Sequence, residues 1–360
     1  MPVKPLIQPT GKTLLILLAI ALVILAIALA QIFSLPNPSW ELLAPLLVST
    51  FLCAALGLFV VPVLRRLKAS QIIQEDGPQS HLKKAGTPTM GGIFFVPTAV
   101  LLAIIWSGFA PLVMGVAGVT LSYALIGFYD DWQILNRRSN KGISPRMKLS
   151  LQVVIAVAFG LWLFWSQPAE ITTVSLPGGL QLPLGILFWP LVGFVLAAES
   201  NATNLTDGVD GLAGGTVAIA FIGLAAIVAG DQPELGLFCA CLSGGCLGFV
   251  VHNRNKADVF MGDTGSLALG GALAAVGLLS NHLWALFIIS GIFFVESLSV
   301  IAQVSYYKAT KGPDGKGKRL LKMAPFHHHL ELSGWSETQI VGAFYLVNVG
   351  LVLLAIAIRT

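Results

Sequence analysis

Charge is scarce in this chain. Asp, Glu, Lys and Arg supply 11% of its 360 residues, against about a quarter in an ordinary soluble domain. That scarcity excludes a soluble globule, and 56% hydrophobic residues exclude a disordered chain as well. Cysteine is equally sparse, with Cys53, Cys239, Cys241 and Cys246 the four present. Each sits inside an apolar stretch, where a thiol acts as a small hydrophobe. Their spacing matches neither a disulfide framework nor a zinc site. The formal charge of +4 says little as a total, and no nucleic-acid partner is expected from it. The distribution of that charge says more.

Long uncharged runs dominate the sequence. A hydrocarbon layer of ~30 Å needs about 20 apolar helical residues to cross it. Such runs occur near 14–33, 42–64, 92–109, 111–129, 149–166, 184–199, 212–229, 235–252, 264–280, 283–304 and 339–358. The first is too long for the apolar region of a signal peptide and lacks a small-residue cleavage site, so it counts as a span. The expected fold is therefore all-α, a polytopic integral membrane helix bundle whose partner is the lipid bilayer.

Polar loops fall at 65–91, 130–148, 200–211, 253–263 and 305–338, and each neighbouring pair is separated by two spans. Parity puts all five on one face. They hold every one of the 21 Lys and Arg residues except Lys4, Lys12 and Arg359. By the positive-inside rule that face is cytoplasmic. Topology accounts for the basic residues but not for the acids and histidines among them.

Asp130 and Asp131 stand where a span emerges into the basic face, and adjacent carboxylates repel unless a cation offsets them. Residues 201–215 place Asn201, Asn204, Asp207 and Asp210 among glycines, with no Lys or Arg nearby in sequence. Asp207 and Asp210 thus call for a metal or for basic groups from another loop. Asp263, Thr264 and Ser266 begin a span, where they can cap the helix or leave its N–H groups to a phosphate. His327, His328 and His329 are consecutive and cannot all face one way on a helix, which argues against a single three-histidine metal. Hard oxygen donors favour Mg2+ or Mn2+, and Mg2+ binds through one or two carboxylates plus substrate phosphates. A substrate with two phosphates fits this face.

Five strings carry a family resemblance: Gly86-Thr-Pro-Thr-Met-Gly-Gly92, Gly127-Phe-Tyr-Asp-Asp131, residues 201–213, Phe260-Met-Gly-Asp-Thr-Gly-Ser266, and Ala324-Pro-Phe-His-His-His-Leu-Glu331. In this order they resemble the phospho-N-acetylmuramoyl-pentapeptide-transferase family, within the polyprenyl-phosphate N-acetylhexosamine-1-phosphate transferases. The resemblance covers about residues 42–358. It implies one transferase domain over 42–360, preceded at 1–41 by a segment whose span is additional to the family's ten. It implies transfer of phospho-MurNAc-pentapeptide from UDP-MurNAc-pentapeptide to undecaprenyl phosphate in the bacterial cytoplasmic (inner) membrane, giving lipid I and UMP. The nearest alternative is a sister transferase using UDP-N-acetylglucosamine. A flippase or secondary transporter is a remoter one, because no internal repeat is visible.

The same resemblance implies roles for residues. Asp263 is the principal Mg2+ ligand, with Asp131 in support, and Asp130 lies nearest the acceptor phosphate. Asn204, Asp207 and Asp210 form the nucleotide-sugar loop, Asn253 and Phe260 meet uridine, and His327 meets the pyrophosphate. Lys84, Thr89, Asn201, His328 and His329 complete the substrate contacts. Ile134 stands where family members often carry a Lys, so Arg137 or Arg138 is expected to supply that phosphate contact. Glu296, inside a span, is either functional or bonded to a neighbouring helix. A homodimer is left open.

Overall fold

Where water is absent, every backbone N–H and C=O must be satisfied within its own segment, so long apolar runs fold as helices. The computed structural model of the chain describes residues 9–33, 39–67, 86–137 and 142–358, and all eleven apolar runs are helical in it. They form α1 (Gly11–Ile32), α2 (Ala44–Arg66), α3 (Gly92–Trp106), α4 (Pro111–Arg137), α5 (Pro145–Ser166) and α6 (Phe188–Thr206). There follow α7 (Leu212–Ala229), α8 (Pro233–Asn253), α9 (Asp263–Leu279), α10 (Leu283–Ile289), α11 (Gly291–Ala309), the short α12 (Phe326–Glu331) and α13 (Glu337–Ile358). Among the described residues eight helices are long and apolar enough to cross a membrane, and α10 with α11 makes a ninth, bent by 69°. The helices α3 and α9 are apolar but shorter. The chain is a polytopic membrane helix bundle.

Two spans differ from their sequence boundaries. The run at 283–304 is broken at Ser290, between α10 and α11. Ser290 Oγ donates to Glu199 Oε1 at 2.6 Å, so the break is fixed by a carboxyl on α6. The run at 184–199 continues as helix to Thr206, because Glu199, Ser200, Thr203 and Thr206 turn into the bundle. Glu199 is thus a second acid buried within a span, beside Glu296.

Burial follows position in the bundle. Every residue of α7 is buried, and α8 and α9 are nearly so. All three are rich in glycine and other small residues, which lets membrane helices approach closely. The outer helices α1, α2, α5, α6 and α13 bury one stripe and expose large apolar side chains such as Phe51, Phe59, Phe164, Phe194 and Leu346. In water such a surface would aggregate. In a bilayer it is the solvated face.

The polar loops meet on one end of the bundle. Gly91 and Gly92 N–H donate to the carbonyls of Phe260 and Met261, and Phe260 N–H returns a bond to the Pro88 carbonyl, all at 2.8 to 2.9 Å. The amino end of α1 also lies there, because a Cβ built on Gly11 would touch the Asn255 carbonyl. At the other end, β1 (Thr173–Ser175) and β2 (Gln181–Pro183) form an antiparallel hairpin with Val174 opposite Leu182. Asn281 pins it through the Thr173 carbonyl and the Ser175 backbone and hydroxyl.

Candidate active site

The acidic pair is built by α4, which runs two turns beyond its apolar stretch and keeps Asp130 and Asp131 buried. Asp131 reaches the start of α9. It accepts from the backbone N–H groups of Asp263 and Thr264 at 3.1 and 2.9 Å and from the Thr264 hydroxyl at 2.6 Å. The first N–H groups of a helix lack intrahelical partners, and a carboxylate there also meets the positive end of the helix dipole. Of the two uses the sequence left open for this helix start, capping by its own side chains or a phosphate, neither is what the structure shows, since Asp131 takes its first N–H groups. Gly262 precedes it with a φ of 73°, and a Cβ there would lie 2.6 Å from Asp131 Oδ2 and 3.0 Å from Thr89 Oγ1. Thr89 is buried at the same junction.

Asp263 turns the other way. Asn204 Nδ2 donates to its Oδ1 at 2.7 Å and to Ser266 Oγ at 2.9 Å. Its Oδ2 pairs with the ammonium of Lys148, which also stands 3.9 Å from Asp130 Oδ2. Lys148 occupies the first turn of α5, one turn after Ser144 caps that helix by accepting from Met147 N–H, with Pro145 at its first position. Asp130 is steadied by Ile143 N–H at 2.8 Å. Sequence reading missed Lys148 as a site residue, because one lysine in a basic loop looks like topology alone. Arg137, expected at that contact, instead donates to the Gly142 carbonyl at the limit of bonding distance, 3.5 Å. Arg138 and Lys84 lie outside the described residues.

The acid loop at 207–211 is divided. Asp210 is buried and accepts from Ala257 N–H at 3.0 Å and more weakly from Asn255 Nδ2 at 3.5 Å. The Asp207 carboxylate makes no hydrogen bond among the described residues. Burial first, then Asp263, Asp131 and Asp210, push its pKa up to about 7. Asn253 ties this loop to the next, accepting from Gly211 N–H at 2.9 Å while donating to the Val259 carbonyl at 2.9 Å. Phe260, next to Val259, is half-buried. Asn201 points into the bundle, where its amide donates to Gln152 Oε1 at 3.0 Å.

The three histidines have three different partners. His327 is fully buried, its Nδ1 3.0 Å from Glu296 Oε2, and a Cβ on Gly208 would meet its Nε2 at 2.2 Å. His328 Nδ1 pairs with Glu331 at 2.6 Å, and His329 Nδ1 accepts from Lys322 N–H at 3.1 Å. Of the three, His327 is the one seen to abut the acid loop among the described residues, at Gly208.

Asp130, Asp131 and Asp263 gather around one ammonium, and Asp207 lies near enough to Asp131 and Asp263 to feel their charge, an excess of carboxylate that suits a hard divalent cation. Among the described residues no group of three or more His, Cys, Asp or Glu side chains forms a metal cage. Mg2+ does not need one, because substrate phosphates and water complete its shell. Asp263 is the carboxylate that fits, and Asp131 is committed to the helix start.

Comparison with known proteins gives the family. The model of glycosyl transferase family 4 matches residues 113–281, and the phospho-N-acetylmuramoyl-pentapeptide-transferase signature 1 matches residues 84–96. A phospho-N-acetylmuramoyl-pentapeptide-transferase of Rippkaea orientalis is 68% identical over 355 residues, covering 99% of this chain and 98% of the relative. The protein of that description from Gloeothece citriformis is 66% identical over 355 residues, covering 98% and 97%. That from Microcystis aeruginosa is 66% identical over 349 residues, covering 97% and 96%. A match of 355 residues takes in the sequence of α1.

Proposed function

The chain belongs to the phospho-N-acetylmuramoyl-pentapeptide-transferase family, and from that premise we propose that the carboxylate, lysine and histidine cluster is where it carries out the family's reaction. The reaction moves phospho-MurNAc-pentapeptide from UDP-MurNAc-pentapeptide to undecaprenyl phosphate and yields lipid I and UMP. The observation that carries the assignment is the meeting of Asp130, Lys148, Asn204 and Asp263, from three helices and the start of a fourth, at the polar end of a membrane bundle.

A lipid-borne acceptor and a water-soluble donor can meet only at the membrane boundary, here the cytoplasmic face of the bacterial inner membrane. An oxygen of the acceptor phosphate forms a bond to the sugar-linked phosphorus of the donor, and the bond from that phosphorus to the UMP oxygen breaks. The acceptor is a phosphate monoester with a second pKa near 6, so most of it is ionised at pH 7 and needs no strong base. The difficulty is bringing anions together. Lys148 offsets charge beside Asp130, where the acceptor phosphate approaches. Asp131 holds the α9 start so that Asp263 faces the substrates. Asp263 would hold Mg2+, which when bound offsets the negative charge of the phosphates. Asn204, Asp207 and Asp210 shape the donor loop, with Asn253 and Phe260 toward uridine and His327 toward the diphosphate. Thr89, His328 and His329 border the donor side.

The acceptor chain needs an apolar path. A groove of about 710 Å³ runs between α5 and α6 from Leu149, next to Lys148, past Val153 and Gly160 to Trp189 and Gly193. Its walls are almost wholly apolar, which suits a prenyl chain entering from the bilayer.

The test is UMP release by purified protein with undecaprenyl phosphate, Mg2+ and each donor in turn. Turnover is expected with UDP-MurNAc-pentapeptide. Turnover with UDP-N-acetylglucosamine alone would overturn the donor assignment.

A further inference from the structure

Glu296 lies six residues beyond the Ser290 break, on α11, with none of its surface exposed. A carboxyl group so placed is expensive unless its oxygens are satisfied. They are satisfied by one residue. His327 N–H donates to Oε1 at 3.2 Å, and His327 Nδ1 stands 3.0 Å from Oε2. Backbone and ring of His327 are thus gripped together at the start of α12.

The grip determines which ring atom is free. With Nδ1–H given to Glu296, the proton position on that nitrogen is set and Nε2 becomes the working atom. Nε2 is buried and has no hydrogen-bond partner among the described residues. It abuts Gly208, the residue after Asp207, where only a glycine leaves room for it. A buried polar nitrogen left unbonded costs free energy, so its orientation calls for a partner that arrives with the substrate. Other titratable groups nearby are Asp207 and Asp210 on the loop, and His328, whose ring centre is 4.1 Å away and which is paired with Glu331. Glu337 at the start of α13 is engaged by Asn255.

We propose that Glu296 is a positioning residue for transfer, holding His327 through Nδ1 so that Nε2 is presented to the donor's diphosphate beside Gly208. With one ring nitrogen held by Glu296, the other is fixed in place to meet a diphosphate oxygen. This rests on the donor assignment made above.

The test compares wild type with Glu296→Gln, Glu296→Asp, His327→Gln and the Glu296→Gln/His327→Gln double variant, each checked for monodispersity and thermal stability. UMP release is followed with donor and acceptor varied separately. Loss of an outer partner that orients a working imidazole costs about ten- to a hundredfold. Glu296→Gln is expected to lower kcat/KM for the donor by that factor through a raised donor KM, with the acceptor KM unchanged. Glu296→Asp recovers part of the loss, and the double variant is no worse than His327→Gln. A Glu296→Gln variant with wild-type donor kinetics overturns the inference. So does a loss shared equally between donor and acceptor, or a double variant with additive losses, because either marks a purely structural role. Absence of wild-type turnover with UDP-MurNAc-pentapeptide would instead strike the donor assignment, and the inference would fall with it.

Discussion

Asp131 closes the amino end of a helix to which it does not belong, accepting from Thr264 through the backbone N–H at 2.9 Å and the hydroxyl at 2.6 Å. One buried carboxylate thereby fixes α4 to α9 and aims Asp263 at Lys148. Asp131→Asn turns one acceptor into a donor that faces N–H groups. It is expected to cost about 1–3 kcal/mol of stability and to reduce UMP release at least tenfold. Thr264→Val removes only the hydroxyl and costs about 1 kcal/mol. Thermal unfolding in detergent reads both, and an Asp131→Asn midpoint equal to wild type would refute the capping role.

Lys148 sits between two carboxylates, so its removal should separate metal affinity from turnover. Lys148→Gln leaves Asp130 and Asp263 without their cation, which makes the site more negative and its hold on Mg2+ tighter. The same change removes positive charge from the place where phosphates approach, a loss of about a hundredfold or more in rate. The expected result is a lower half-saturating Mg2+ concentration together with lower UMP release. A raised Mg2+ requirement with an unchanged maximal rate would contradict it.

Asp207 gives the site a pH dependence whose sign is fixed. Its carboxyl is pushed up to about 7 by burial and by Asp263, Asp131 and Asp210. The unfolded chain releases this proton at about 4, so Asp207 lowers stability as pH rises from about 4 to about 7. A divalent cation nearby favours the ionised form. Stabilisation by Mg2+ should therefore be small at pH 6 and larger at pH 8, with the difference reduced in Asp207→Asn. Thermal midpoints with and without Mg2+ at the two pH values decide it.

Much of this molecule is legible in its sequence, because a bilayer imposes long apolar helices and sorts charge by side. The eleven runs, their alternation and the gathering of five polar loops on one end follow from hydropathy and parity. Pairings made across the bundle do not. Lys148 looks like one more basic loop residue until Asp263 is seen beside it. The partner of Glu296 is 31 residues further along the chain and that of Glu199 is 91 residues away. No local pattern announces either. The break at Ser290 is hidden for the same reason, since the run remains apolar and its bend is held from another helix. Two donors to Asp210, the Ala257 N–H and the Asn255 amide, come from a different loop, so nothing within residues 201–215 announces them.

The account stands on Asp263 as the carboxylate that would hold Mg2+, and Asp263→Asn tests it most directly. The amide can still meet Asn204 and sits on the same helix start, so the fold is expected to persist with a thermal midpoint near that of wild type. UMP release from UDP-MurNAc-pentapeptide is expected to vanish and not to return at any Mg2+ concentration. Turnover within a few-fold of wild type would remove Asp263 from the site and contradict the mechanism built on it.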